Sequence, residues 1–380
     1  MDRFHLLTLL CIKTLNHVHS MSKGKIQNDT FISAFINVGQ WADYRKQLIE
    51  GVLWDRCNED DWMAAFKLLH TRIKTRFLNP IDWILEKRSD VGEGFSVVAL
   101  QCILIEFLEA TYQGKIYTTS RQPRPFEYNS SKQLFSDFLL NHKPFSEYFK
   151  SKANANGFFD NIRCGLLHEA ATKEKSRINN APSHNMLVLF EANDPRNMRI
   201  YRENFYRAIL EFIEEYRVEL LSNRELQINF IRKMDDICGI KRAYYFAYGS
   251  NMLPERLLER IKKYHLGFKA EFPGYKFIYN KKSKDGTAKA NVEKDDAAKV
   301  SGVCFEVDEE DLEILKKYEG GYDQRNIEVT DENRNKVKAI TYISASVDNA
   351  LGASTEYKSI VLSGAKHWGL SEEYISVYLS

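Results

Sequence analysis

A change of hydrophobic period near residue 240 most constrains how this chain can fold. Upstream, apolar residues recur at i, i+3 and i+4 through Phe31–Leu53, Asp60–Leu78, Phe95–Tyr112, Leu134–Tyr148, Phe158–Lys175, Met198–Leu221 and Glu225–Ile237, the spacing that gives a helix one buried stripe. Only Asn185–Glu191 resembles a strand there, inside an excursion carrying Asn, Pro and Asp. Downstream of Gly239 the runs Ala243–Tyr248, Tyr275–Asn280, Lys299–Val307, Arg325–Thr330 and Lys338–Ser344 are short, aromatic or β-branched, and bounded by turn residues, as strands are. Helical spacing returns over Pro254–Tyr264, Glu309–Tyr318, Thr355–Trp368 and Ser371–Tyr378. Two periods call for two cores, and 380 residues exceed one ordinary core. The expectation is two domains, an N-terminal all-α helical bundle and a C-terminal mixed α/β domain.

Charge narrows the function. With 54 Lys+Arg against 52 Asp+Glu the net charge is +2, which excludes a polycationic coat that binds nucleic acid by bulk charge. The cysteines, Cys11, Cys57, Cys102, Cys164, Cys238 and Cys304, form no CxxC pair, so reduced thiols and a cytoplasmic location are expected. His70, His142, His184, His265 and His367 have no carboxylate or cysteine at metal-ligand spacing, so neither a metal nor another cofactor is expected. The longest apolar run, Val97–Ala110, is broken by Gln101 and Glu106 and falls short of the roughly 20 residues of a bilayer span; it reads as a buried helix, with no membrane contact. Residues 1–25 are expected to be disordered or a non-native start, with Met21 as the natural initiator. Trp41, Trp54, Trp62, Trp83 and Trp368 sit on or near apolar helical positions and are expected in cores. Lys262-Lys263 and Lys281-Lys282-Lys284 read as solvated surface.

The sharpest chemical signal is Tyr244-Tyr245-Phe246-Ala247-Tyr248-Gly249-Ser250-Asn251-Met252, a strand running into Gly-Ser-Asn and then a helix near Pro254. Open amides at such a junction favour a carboxylate or phosphate; the same spacing also suits a plain capped helix. Leu312–Tyr322 supplies a second element, a helix ending at Glu319 before Gly320-Gly321. A carboxylate at the negative end of a helix, once partly buried, has its pKa raised toward that of a base working near neutrality. Gly286-Thr287-Ala288, Tyr322 with Arg325, and Tyr357 at the head of a helix fit the same pocket.

These ordered motifs, from Tyr245–Met252 with Glu255-Arg256, through Leu315 to Glu319-Gly320, to Glu356-Tyr357-Lys358, Gly364-Ala365-Lys366 and Gly369–Tyr374, resemble the γ-glutamylcyclotransferase family over residues 243–380, within a domain expected over residues 239–380. The resemblance implies a mixed α/β barrel and an enzyme of the lyase or acyltransferase type that releases 5-oxoproline from a small γ-glutamyl substrate. It implies Glu319 as the catalytic acid/base and Tyr248, Gly249, Ser250, Asn251, Met252, Tyr322 and Tyr357 as substrate-binding residues. The loop between Glu319 and Tyr322 is shorter than the family's usual one, which leaves the substrate open among γ-glutamyl amino acids, γ-glutamyl amines, glutathione and related antibiotic intermediates.

In the helical half, Phe158–Ala170 carries Arg163 and His168 at Arg-x4-His spacing. It resembles the HEPN family of all-α, often ribonucleolytic modules, which implies a HEPN-like domain over residues 26–238, RNA as a partner and a homodimer through that domain. Arg163 would hold a phosphate and His168 would move a proton. Five helical residues turn through about 140°, so a second subunit would complete the site, and Gly165, costly in a helix by about 1 kcal/mol, would admit a neighbouring helix. Here Cys164 follows the Arg where a polar residue is usual. A surface ion pair at Arg163 and a backbone-bonded His168 fit the spacing equally. The alternative function is thus a metal-independent, toxin-like ribonuclease with the C-terminal domain as its regulator.

Overall fold

The computed structural model describes residues 29–379 apart from 34, 57, 88–91, 122, 125, 180–185 and 262. The expectations for residues 1–25, Cys11, Cys57, His184 and Lys262 lie outside the described residues. Helices in the first half start where polar side chains take up amides that have no partner inside the helix. At the head of Val38–Trp54, Asn37 accepts from the Gln40 amide while the Gln40 side chain accepts from the Asn37 amide, a reciprocal cap. Asn58, Ser151 and Asn223 cap Glu59–Ile73, Lys152–Phe158 and Arg224–Ile237.

The apolar faces of these helices meet in one core, where Trp41 and Trp62 both set their rings edge-on to Phe230. Glu93–Tyr112 is long and apolar enough, by length and composition, to cross a membrane. Here it runs through that core, with Val97, Val98, Leu104 and Ile105 fully buried against Ser131–Asn141, Arg202–Leu220 and Arg224–Ile237.

The half is helical without being all-α. Strand β1 (Phe31–Ser33) pairs with β2 (Ile36–Asn37), β3 (Ile116–Tyr117) with β4 (Glu127–Tyr128), and β5 (Arg177–Asn179) and β6 (Val188–Phe190) flank β7 (Met198–Tyr201). Met198–Tyr201 was expected to open a helix; its buried Met198 and Ile200 around a half-buried Arg199 fit a strand period as well, and pairing on both edges decides the matter. Trp54 and Trp83 are not core: they are 49% and 59% exposed.

The second half is a closed barrel in the order β10-β8-β12-β11-β9, from β8 (Arg242–Ala247), β9 (Leu266–Lys282), β10 (Ala288–Asp308), β11 (Asp323–Asp331) and β12 (Lys336–Ile343). All pairs are antiparallel except β12 with β8, joined at Ile340 and Tyr245. Closure leaves no free sheet edge. Its apolar interior is a second core beginning at Ala243, while the helical core ends at Ile240.

Between the two cores lies a layer of paired charge. Arg45 bonds Asp235 at 2.6 Å and Asp308 at 2.7 Å; Arg242 reaches Asp235 at 2.7 Å and Glu306 at 3.2 Å; Arg232 grips Glu306 at 2.9 Å. Every side chain in this set is at most 9% exposed. His265 lies at 2.8 Å from Asp308, so a carboxylate partner that spacing in the sequence did not show is supplied by the fold. Because Asp308 only accepts, the proton of that contact belongs to His265 Nε2. Asp235, His265 and Asp308 bring ligand atoms together as a metal site would, but the Arg45 guanidinium bridges the two carboxylates and occupies the place of a cation.

Candidate active site

The strand β8 ends at Ala247, and the chain turns through a single 3-10 turn, Ser250–Met252, into the Pro254–Ile261 helix. Met252 N–H bonds Gly249 O and Leu253 N–H bonds Ser250 O. The Ser250 and Asn251 amides stand at the open head of the turn, where it provides no carbonyl for them. Gly364, in the Thr355–His367 helix, permits the position of this loop: a Cβ there would come within 2.6 Å of Leu253 N and 2.9 Å of Met252 C.

Glu319 closes the Glu309–Tyr318 helix, and Tyr322 N–H returns to Glu319 O at 3.1 Å. Gly321 sits at φ +82 in that turn, a conformation glycine adopts without strain. The tight return brings Tyr322 back over the loop, and its hydroxyl donates to Ala290 O at 2.7 Å.

One cavity of about 640 Å³ joins these pieces, with Tyr248, Gly249, Ser250, Asn251, Glu319, Tyr322 and Tyr357 in its wall. Asn251 Nδ2 donates to Glu319 Oε1 at 2.8 Å, and Arg260 Nη1 reaches the same oxygen at 3.0 Å. Glu319 Oε2 has no hydrogen-bond partner among the described residues, so one oxygen is anchored and the other is open. The side chain is 11% exposed, and burial pushes its pKa up against the opposing pull of Arg260, Asn251 and Lys281. Because Asn251 Nδ2 also donates to the Tyr245 hydroxyl, its amide orientation is fixed, and Oδ1 is left buried without a partner. Burial likewise holds Tyr245, Tyr248 and Tyr322 well above the usual phenol range, keeping each hydroxyl protonated. Tyr357 takes hydrogen bonds from the backbone and side chain of Ser250.

Gly286-Thr287-Ala288, Met252 and Arg325, all expected in the pocket, are not in its wall. The Met252 side chain has no exposure and is packed near Gly364, while its carbonyl accepts from Trp368 Nε1; it supports the loop and does not line the cavity. Arg325 is exposed beside Asp323. Residues of the wall that went unrecognised as site residues in the sequence include Tyr245, Arg260, Lys281 and Lys289. Arg260 follows Arg256 at helical spacing, a signal that ordinary surface helices share. Lys281 was expected on solvated surface and is 9% exposed; Lys263, from the other run, bonds Asp308 at 3.0 Å.

In the helical half, Arg163 ends a π-helical turn, Phe159–Arg163, and bonds Glu106 at 3.1 Å and Ser131 at 3.4 Å. His168 is exposed near the end of Cys164–Glu169. Gly165 needs no second helix to account for it: a Cβ there would meet Ala171 O of the same chain at 2.4 Å.

Among solved structures, one called gamma-glutamyl cyclotransferase is 26% identical, with a TM-score of 0.34, over 36% of this chain and 85% of that one. YkqA from Bacillus subtilis is 22% identical, with a TM-score of 0.33, over 37% of this chain and 54% of that one. A yeast gamma-glutamyl cyclotransferase specific to glutathione is 11% identical, with a TM-score of 0.28, over 35% of this chain and 90% of that one. No curated protein sequence matches the chain. Residues 299–377, which carry Glu319, Tyr322 and Tyr357 but not the Tyr248–Asn251 loop, match the AIG2-like family.

Proposed function

We propose that the barrel cyclises γ-glutamyl amides to 5-oxoproline and a free amine. The observation that carries this reading is Glu319, buried, raised in pKa and presenting one unbonded oxygen to a cavity lined by the Ser250–Asn251 turn. The AIG2-like match over residues 299–377 supports it.

The chemistry follows from the parts. The α-carboxylate of the glutamyl group rests on the Asn251 amide at the head of the turn, and its ammonium faces the open oxygen of Glu319. Held so, the chain folds back and the α-nitrogen faces its own γ-carbonyl, so closure is intramolecular and needs no protein nucleophile. Glu319 takes a proton from the ammonium, and the freed amine attacks the γ-carbon to form the ring C–N bond. As the tetrahedral centre collapses, the bond to the departing nitrogen breaks. Two protons have then passed from the attacking to the leaving nitrogen, and a single carboxylate that accepts and returns them ends as it began.

Glu319→Gln keeps the size and the contact to Arg260 but cannot carry a proton. Release of 5-oxoproline from γ-glutamyl-glycine should fall by about 10²–10⁴. Release at the wild-type rate would remove Glu319 from the chemistry. The Arg163 and His168 ribonuclease is not part of this reading: Arg163 Nη2 is paired with Glu106, and His168 stands exposed.

A further inference from the structure

The cavity wall holds one carboxylate, Glu319, against Arg260, Lys281, Lys282, Lys284, Lys289 and Lys317. Arg260 is matched by Glu319 and Lys289 by Asp285. Lys281 is different. It is 9% exposed, and its ammonium makes no ion pair or hydrogen bond among the described residues. It rests 5.0 Å from the centre of the Tyr322 ring, beside Gly321 in the return that follows Glu319.

Strand register accounts for this placement. Lys281 pairs with Lys289 and Tyr279 with Ala290, so Asn280 is an extra residue in β9. Such a bulge re-aims side chains: Asn280 and Lys281, which would alternate in a regular strand, are both buried. Asn280 is fixed by Glu293, Asn291 and Asn349. Glu319 and Asp285 act on Lys281 only through space, and a desolvated cation with no bonded counter-charge is costly unless an anion arrives to meet it. The glutamyl α-carboxylate already has the Asn251 amide, so the anion that remains belongs to the departing amine.

Resting on the cyclisation reading above, we infer that Lys281 receives a carboxylate on the leaving group, so that the site takes γ-glutamyl amino acids or peptides in preference to γ-glutamyl derivatives of uncharged or cationic amines. Lys282 and Lys284, exposed at the mouth, extend the same field outward.

The test compares γ-glutamyl-glycine with γ-glutamyl-ethylamide, in which a methyl replaces the glycine carboxylate. Wild type should favour the first in kcat/KM by about ten- to a hundredfold, the scale of a charge-assisted hydrogen bond. Lys281→Met should bring that ratio close to one, and Lys281→Arg should restore most of it. An equal rate on both compounds in wild type, or an unchanged ratio in Lys281→Met, overturns the assignment. A loss of both activities in equal proportion places Lys281 on the glutamyl carboxylate instead, and overturns it too. If wild type releases 5-oxoproline from neither compound, the cyclisation reading fails. Calorimetric binding of the same pair to wild type and Lys281→Met then decides the lysine separately: a preference lost in the variant upholds it, and no preference ends it.

Discussion

The seam between the two cores and the barrel cavity both bury charge, and they treat it in opposite ways. At the seam each ion meets its opposite: Arg232 and Arg242 close on Glu306, and Arg45 and Arg242 close on Asp235. Glu306 is accordingly held down to about 2 by Arg232 and Arg242 despite its burial. In the cavity, burial prevails instead: the Glu319 carboxyl is pushed up and the Lys281 ammonium is pushed down. A saturated cluster can hold two domains in register and has no capacity left for a ligand. An unsaturated one is poor at holding structure and suited to meeting a substrate.

The seam gives the largest expected effect. Glu306→Gln leaves Arg232 and Arg242 buried beside a neutral group, and losing one partner of a buried pair costs about 3–5 kcal/mol. The urea midpoint should fall accordingly. A change within about 0.5 kcal/mol would show that the seam is not the saturated cluster its geometry describes.

Acid separates the two regions by sign. His265, buried, is lowered from 6.5 to about 4, so between those values the unfolded chain binds a proton the folded one does not. Stability from His265 is complete above pH 6.5 and is lost as pH falls toward 4. Glu306 adds a second loss between its ordinary 4.5 and about 2. Glu319, raised, works the other way: the folded state holds the extra proton just above pH 4.5, and stability falls there as pH rises. Denaturation of wild type at pH 7, 5 and 4 should show a net decline of up to about 3 kcal/mol. His265→Gln, which can still donate to Asp308 but does not titrate, should flatten it. An equally steep decline in that variant would break the assignment.

The same contrast explains which parts of the fold the sequence exposed. Arg242–Ala247, Glu309–Tyr318 and Thr355–His367 fall close to the bounds that local period suggests, whereas β9 and β10 run well beyond the expected Tyr275–Asn280 and Lys299–Val307. Glu319 and the Tyr248–Asn251 loop stood out because each lies where a local rule ends: a helix terminus, a strand running into Gly-Ser-Asn. The seam had no such mark. Arg45 and Asp308 are 263 positions apart, and neither differs locally from a surface charge. Lys281 was misjudged for a related reason: a run of lysines reads as solvated, and only one extra residue in β9, visible through its pairing with β10, turns it inward. Met198–Tyr201 was too short for its period to distinguish strand from helix.

The smallest effect probes the cavity where its charge is most nearly balanced. Arg260 stabilises the ionised form of Glu319 at 3.0 Å, so it keeps the carboxyl from rising as far as burial alone would take it. Arg260→Gln removes that opposition, and the Glu319 pKa should rise further. Cyclisation starts from the carboxylate, so the acid limb of the kcat/KM profile should move to higher pH by about one unit, within the range that one adjacent opposite charge commands. Asn251 still anchors Oε1 in this variant, so the rate on the alkaline side of the limb should change far less than in Glu319→Gln. A limb that stays in place would mean that Arg260 neutralises Glu319 no more than solvent does; one that moves to lower pH would mean that the titrating base is another group.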